Sequence, residues 1–221
     1  VFWAGGTCLY SRAFLEGLIH EGGPDPELRA QLEREAKRAA GEGDPERLYR
    51  RLTVLDPEAA RRIHPNDLRR TVRALELVTH AGVPASQLRA RHHFGDRPFR
   101  VLYLVLDPGR DVLDERIDAR AEAMISAGLL QECRALRARG YGADLRPMQA
   151  IGYRHLMSVV DGQDTLENAL VGMRRDTRHF ARRQRTWFRS VPDAVWLKPD
   201  DSQAIESRVR AFVEQGDDGA C

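Results

Sequence analysis

The chain opens on VFWAGGTCLYSRAFLEGL, where the pattern of apolar positions changes at a pair of glycines. Val1, Phe2, Trp3 and Ala4 read as the end of a buried strand, and Gly5-Gly6-Thr7 as a turn. Leu9, Ala13, Phe14 and Leu18 then fall on one side of a helix. After a loop at 20–24, residues 25–40 carry a charged helical pattern, started by Asp25 or Pro26 and ended at Gly41. Residues 46–52 and 57–63 give two shorter helical patterns. In HPNDLRRTVRALELVTHAGVP, residues 64–84, Asn66 or Asp67 caps a helix with the stripe Leu68, Val72, Leu75 and Val78. Gly82 and Pro84 stop it. About 70 residues after the first strand candidate therefore hold helices and no strand, the pattern of an inserted helical lobe.

The run FRVLYLVL, residues 99–106, is apolar almost throughout. Continuous rather than alternating character predicts a strand buried on both faces, as in a parallel sheet. A long helical region follows at 111–139, with Leu113, Ile117, Met124, Leu130, Cys133 and Leu136 as core positions and Gly128 as a break or bend. Residues 147–154 read as a loop, and Thr165 caps a second long helix, 166–189. Its predicted core face is Leu166, Leu170, Met173, Thr177, Phe180 or Ala181, Gln184 and Trp187. Residues 194–197 form a last strand candidate, followed by a helix at 203–214. Three strand candidates are too few for an open sheet covered on both sides. The pattern, with no initial methionine, predicts the C-terminal part of a longer α/β layer protein.

Composition changes this picture in one respect. Of 35 basic residues only Lys37 and Lys198 are lysine, and the net charge is +2. Arginine offers a planar fork suited to phosphate and to stacking on bases. Seven arginines, 174, 175, 178, 182, 183, 185 and 189, stand within 16 residues beside one acid, Asp176, with His179, Trp187 and Phe188 between them. With no carboxylates one turn on to pair them, the stripe predicts a surface for a polyanion; the bland alternative is a basic helix pairing with acids elsewhere in the fold. A second cluster is Arg69-Arg70 with Arg73, of which Arg69 and Arg73 are one turn apart and share a face opposite Leu68, Val72 and Leu75. Arg110, Arg116 and Arg120 have the spacing of a lid over phosphates. At Gly5-Gly6-Thr7 paired glycines let backbone amides approach an oxyanion, though a plain tight turn fits as well.

Cys8, Cys133 and Cys221 show no CxxC spacing and predict a reducing, cytoplasmic setting without disulfides. His92-His93 reads as a solvated loop pair. No apolar run approaches the roughly 20 residues that cross a bilayer, so no membrane partner is expected.

Five segments, GGTCLY, LDPEAARRIHPNDLRRTVRALEL, LVLDPGRDVLDERID, MQAIGYRHL and TRHFARRQRTWFR, together resemble the tRNA dimethylallyltransferase family in order and spacing. The resemblance implies an α/β, P-loop NTPase-like three-layer core, residues 1–21 and 97–200, with a helical insertion at 22–96 that grips the tRNA anticodon stem-loop. Residues 201–221 would be a C-terminal helix and tail, and the chain a monomer. The implied reaction transfers a dimethylallyl group from dimethylallyl diphosphate to N6 of the adenine beside the anticodon, with Mg2+. The adenine must leave its stack to react.

By motif, the resemblance implies catalytic roles for Thr7, near the adenine, and Arg183, on the diphosphate. Gly5, Gly6 and Arg110 would form the diphosphate site and lid. Arg29, Arg69, Arg70 and Arg73 would hold RNA, as would Gln149, Gly152, Tyr153 and Arg154 around the loop, and Arg182, Gln184, Trp187 and Arg189 along the channel. The family's GxxxxGK[ST] loop and catalytic aspartate are not found, so N-terminal strands, P-loop and base are expected to precede Val1, and this chain alone is expected to be inactive. Three other readings compete: an adenylate isopentenyltransferase, a non-catalytic RNA-binding fragment and a P-loop kinase of small metabolites.

Overall fold

A carboxylate, hydroxyl or αL residue marks most of the helix ends in the computed structural model, which describes residues 1–17, 23, 25–92 and 99–217. Leu18, the loop residues around Gly23, His93 and Cys221 lie outside these. The chain divides into two units, Leu9–Arg100 and Val1–Cys8 with Val101–Cys221.

The helical unit takes in most of α1 (Cys8–Glu16) and all of α2 (Pro26–Gly41), α3 (Arg47–Leu55), α4 (Pro57–Arg62), α5 (Leu68–Ala81) and α6 (Ala85–His92). Asp25 caps α2, accepting from the Glu27 and Leu28 amides, with Pro26 in the first turn, where its missing N–H costs nothing. Asp67 rather than Asn66 caps α5, accepting from Arg70 N, and Gly82 ends it in the αL conformation at φ 66°. The core joins Leu32 and Ala36 of α2, Leu48 and Leu52 of α3, Val72, Leu75 and Leu77 of α5, and Leu88 of α6. Leu68, expected in the stripe, is exposed, because α5 is only then entering the packed layer. The pattern did not announce α6. Its first turn is fixed by Asp56, a buried carboxylate that accepts from Ala59 N, from Ser86 N at 2.9 Å and from Ser86 Oγ at 2.7 Å. Both carboxyl oxygens are hydrogen-bonded, so this buried polar group is tolerated.

The sheet unit holds two described strands, β1 (Leu104–Leu106) and β2 (Val195–Leu197), paired in parallel with Leu104 opposite Val195 and Leu106 opposite Leu197. The expected eight-residue strand at 99–106 is thus three residues long. Of these only Val105 is buried, and Val101 and Leu106 are exposed. A ladder extends only as far as its partner, and β2 is bracketed by Pro192-Asp193, with Asp193 at φ 60°, and by Pro199. Residues 1–4 are not a strand: they lie beside no described strand and expose Val1, Phe2 and Trp3.

Helices α7 (Arg110–Ser126) and α8 (Leu129–Ala138) replace the predicted region 111–139, broken at Gly128, φ 99°. The predicted loop at 147–154 resolves into a 3₁₀ turn, Arg146–Gln149, and the start of α9 (Tyr153–Val160). Helix α10 (Leu166–Arg189) has the predicted bounds and its Thr165 cap, and α11 (Ser202–Asp217) completes the unit. The core of this unit gathers Leu130, Cys133, Leu156, Ala169 and Met173. On α10, therefore, only the first half is buried. Leu166 and Phe180 are exposed, since α9 and α7 pack against one stretch of the helix rather than its whole face. No described helix is long and apolar enough to cross a membrane.

Candidate functional site

Much of the arginine stripe on α10 is neutralised within the fold, a correction to the unpaired stripe read from the sequence. Arg174 Nη2 donates to Glu122, and its Nε stands 3.8 Å from Asp118. Arg178 pairs with Asp118 and stands 3.8 Å from Asp114. Arg185 Nη2 lies 2.8 Å from Asp107, the residue that ends β1, and Arg175 Nε lies 2.9 Å from Asp176. The reason is register: Asp114 and Asp118 are one turn apart on α7, as Arg174 and Arg178 are on α10, and the two helices pack together.

Arg182, Arg183 and Arg189 meet no described carboxylate. Arg182 and Arg189 line a cleft of about 290 Å³ with Arg110, Arg178, Arg185 and Asp114. Arg189 also lies over the Trp196 ring, 5.9 Å from its centroid. Arg110, 3.7 Å from Asp114 and largely exposed, stands in the same cleft. Arg183 turns away from this cleft and packs over Phe180 at 5.9 Å. Trp187 meets Phe188 edge-on at 5.1 Å, and Phe188 meets Tyr103 at 6.1 Å, which fastens the end of α10 to the sheet.

Gln184 reaches the opening turn: its Nε2 donates to the Gly6 carbonyl. A Cβ at Gly6 would come within 2.5 Å of that nitrogen, so a larger residue there would displace the Gln184 amide. Thr7 and Gly5 are exposed beside this anchored turn, and Cys8 Sγ faces the Gly6 carbonyl at 3.8 Å. Burial pushes the Cys8 thiol pKa up, which keeps it a thiol.

Under the 147–154 segment, Gln149 donates to Ala143 O and Tyr153 OH to Glu132 at 2.6 Å. Gly152 takes φ 103°, which only glycine adopts without strain. Its N–H donates to His155 Nδ1 at 3.4 Å, so the imidazole proton sits on Nε2 and points at Asp176 Oδ2, 3.1 Å away. Burial holds His155 below its ordinary pKa despite Asp176, and Arg154 and Arg175 add to this. Asp176 is held far below the usual carboxylate range, first by the Arg175 hydrogen bond and then, against its own burial, by Arg154 and His155.

In the helical unit Arg69 and Arg70 are exposed, Arg70 standing 3.4 Å from Asp67. Arg29 and Arg73 converge on one carboxylate, Glu76, which is fully buried. Arg73 is thereby drawn from the face expected to be shared with Arg69. The anchoring acids Glu76, Asp107, Asp114, Asp118 and Glu122 escaped the sequence reading, which counted Asp176 alone against the stripe. The available signals were an acid between Leu75 and Leu77, and two Asp–Arg pairs with matching spacing.

Among the described residues no group of three or more His, Cys, Asp or Glu side chains is placed to hold a metal ion.

The IPP transferase family profile matches residues 1–191. The chain is 44% identical over 214 residues to the tRNA dimethylallyltransferase of Desulfatibacillum aliphaticivorans, which covers 97% of this chain and 69% of that protein. It is similar to the crystal structure of a tRNA isopentenylpyrophosphate transferase from Bacillus halodurans, with a TM-score of 0.56 and 30% identity, covering 94% of this chain and 64% of that one. A eukaryotic dimethylallyltransferase acting on tRNA shares the fold, with a TM-score of 0.64 and 24% identity, covering 96% of this chain and 55% of that one. The chain thus spans between 55% and 69% of the length of these relatives.

Proposed function

The chain belongs to the IPP transferase family, whose relatives are tRNA-modifying prenyltransferases, and from that premise we propose that it serves transfer of a dimethylallyl group to tRNA. The bond that breaks is C1–O of dimethylallyl diphosphate, the bond that forms joins C1 to N6 of the adenine beside the anticodon, and diphosphate and the N6 proton leave. An aromatic amine is a weak nucleophile, so the barrier falls chiefly through placement of the two reactants and stabilisation of the leaving charge.

The observation that carries this reading is the cleft where Arg182 and Arg189, without carboxylate partners among the described residues, join Arg110. Guanidiniums that line one cleft and keep their charge suit a phosphate-rich ligand. Arg182, Trp187 and Arg189 are assigned to the RNA channel, with Gln184 holding the Gly5-Gly6-Thr7 turn so that Thr7 meets the adenine amine. Arg110 is assigned to the diphosphate; Arg183, which the resemblance also gives to the diphosphate, packs over Phe180 outside that cleft and must swing from it to take this role. Arg154 and Tyr153, on their Asp176 and Glu132 anchors, are assigned with Gln149 and Gly152 to the anticodon loop, and Arg29, Arg69, Arg70 and Arg73 to the stem backbone.

The parallel pair β1–β2 with α7 and α10 supports placing the sheet unit in a P-loop-type core. The proposed bounds are 1–21 and 97–200 for that core, 22–96 for the tRNA-gripping insertion and 201–221 for the C-terminal helix and tail. A cytoplasmic monomer is the proposed form. Mg2+ is the proposed cofactor, on the strength of the resemblance.

Mobility shift of an anticodon stem-loop RNA, with AMP as competitor, tests the reading. Salt-dependent RNA binding that AMP does not displace is expected. Equal binding of AMP would favour a free-nucleotide prenyltransferase, and absence of RNA binding would overturn the proposal.

A further inference from the structure

Resting on the RNA-binding reading, we propose that Glu76 is a positioning residue, which holds Arg29 of α2 and Arg73 of α5 as one fixed pair of guanidiniums for an RNA phosphate. Glu76 is fully buried between Leu75 and Leu77. Its Oε1 accepts from Asp25 N at 2.8 Å and from Arg29 Nη2 at 3.0 Å. Its Oε2 takes Arg29 Nη2 at 2.6 Å and faces Arg73 Nη1 at 2.9 Å. The carboxylate is saturated, and the three side chains together keep one positive charge. Both arginines are partly exposed, Arg29 at 26% and Arg73 at 41% of the side chain, so the clamped pair still faces solvent.

Burial pushes the Glu76 carboxyl up, yet the Arg29 and Arg73 bonds and the Asp25 amide outweigh it and keep the group ionised. A buried ion cluster contributes little net stability over apolar packing of the same shape. What it does supply is orientation. A free arginine loses rotamer entropy when it grips a phosphate, and one already clamped has lost it beforehand. The same carboxylate ties the first turn of α2 to the middle of α5, so the two arginines keep their spacing.

Sign separates this role from simple electrostatics. Removing the Glu76 charge makes the lobe more positive, which by charge alone tightens RNA binding. A loss of affinity can therefore arise only from lost geometry.

The experiment measures the Kd of the full chain for an anticodon stem-loop RNA across a salt series, with far-UV circular dichroism as the check of folding. Glu76→Gln is expected to weaken binding about 5- to 50-fold with an unchanged salt slope, since both cations remain. Glu76→Met, which removes the buried polar group, should show the same loss. The triple variant Arg29→Gln, Arg73→Gln, Glu76→Gln should lower the slope by about one to two as well. Folded Glu76→Gln or Glu76→Met protein that binds within two-fold of the parent would overturn the proposal, as would failure of both to fold, which would make Glu76 structural. If Arg182→Ala with Arg189→Ala weakens binding while the Glu76 variants do not, the RNA reading stands and this proposal alone falls. A parent chain that binds no RNA overturns both.

Discussion

Two arginine clusters, one in each unit, are held in opposite ways. In the helical unit Arg29 and Arg73 share one carboxylate sunk in the core, Glu76, while Arg69 and Arg70 stay on the surface. In the sheet unit Arg174, Arg178 and Arg185 of α10 are met by partly exposed acids on neighbouring elements, Asp107, Asp114, Asp118 and Glu122. A buried anchor fixes direction because its own position is fixed by packing. Exposed pairs are weak and screened by salt, and they chiefly subtract charge. The contrast teaches that the stripe is not uniform: its free charge is concentrated at Arg182, Arg183 and Arg189, toward the end of the helix.

The largest effect expected from breaking this comparison lies in the cores. Leu75, fully buried, stands at the centre of the helical core, and Leu75→Ala should cost about 2–5 kcal/mol. All three tryptophans, Trp3, Trp187 and Trp196, belong to the sheet unit. Urea melts followed by ellipticity and by tryptophan fluorescence should therefore separate in this variant. Midpoints that move together would mean one cooperative block.

The next effect bears on charge. Arg182→Ala with Arg189→Ala should weaken stem-loop RNA binding about tenfold or more and reduce the salt slope by roughly one to two. Arg174→Ala, whose charge Glu122 and Asp118 already meet, should change both much less. Equal effects from the two variants would restore the uniform stripe. Smaller again, Thr165→Ala removes the hydroxyl that accepts from Asn168 N at the start of α10 and should cost about 1 kcal/mol, read from the fluorescence melt.

The smallest expected effect is one of pH. His155 has a folded pKa below the ordinary 6.5, so below pH 6.5 the unfolded chain takes up a proton that the folded chain refuses. Its contribution is full above pH 6.5 and is lost as pH falls toward the folded value. Asp176 and Glu76, both depressed, keep theirs until pH falls below the ordinary 3.8 and 4.5. Between pH 7 and 5 the fluorescence midpoint should fall in the parent and fall less in His155→Gln. Identical slopes would remove His155 from the account.

Local chemistry determined much of the molecule in the sequence alone. Helix ends followed Asp25-Pro26, Asp67, Thr165, Gly82 and Gly128, because caps and αL residues act within a few residues of where they stand. The core of α5 followed its period for the same reason, and the five motifs carried the family. Only the tertiary structure decided which apolar runs became strands and which arginines kept their charge. Residues 1–4 and 99–103 are apolar enough for strands, but a strand exists only beside a partner, and β2 offers three residues. Arg178 and Arg182 look alike on paper. Both line one cleft, but Arg178 meets Asp118 across a helix contact and Arg182 meets no described carboxylate, and no spacing within a single helix can distinguish them.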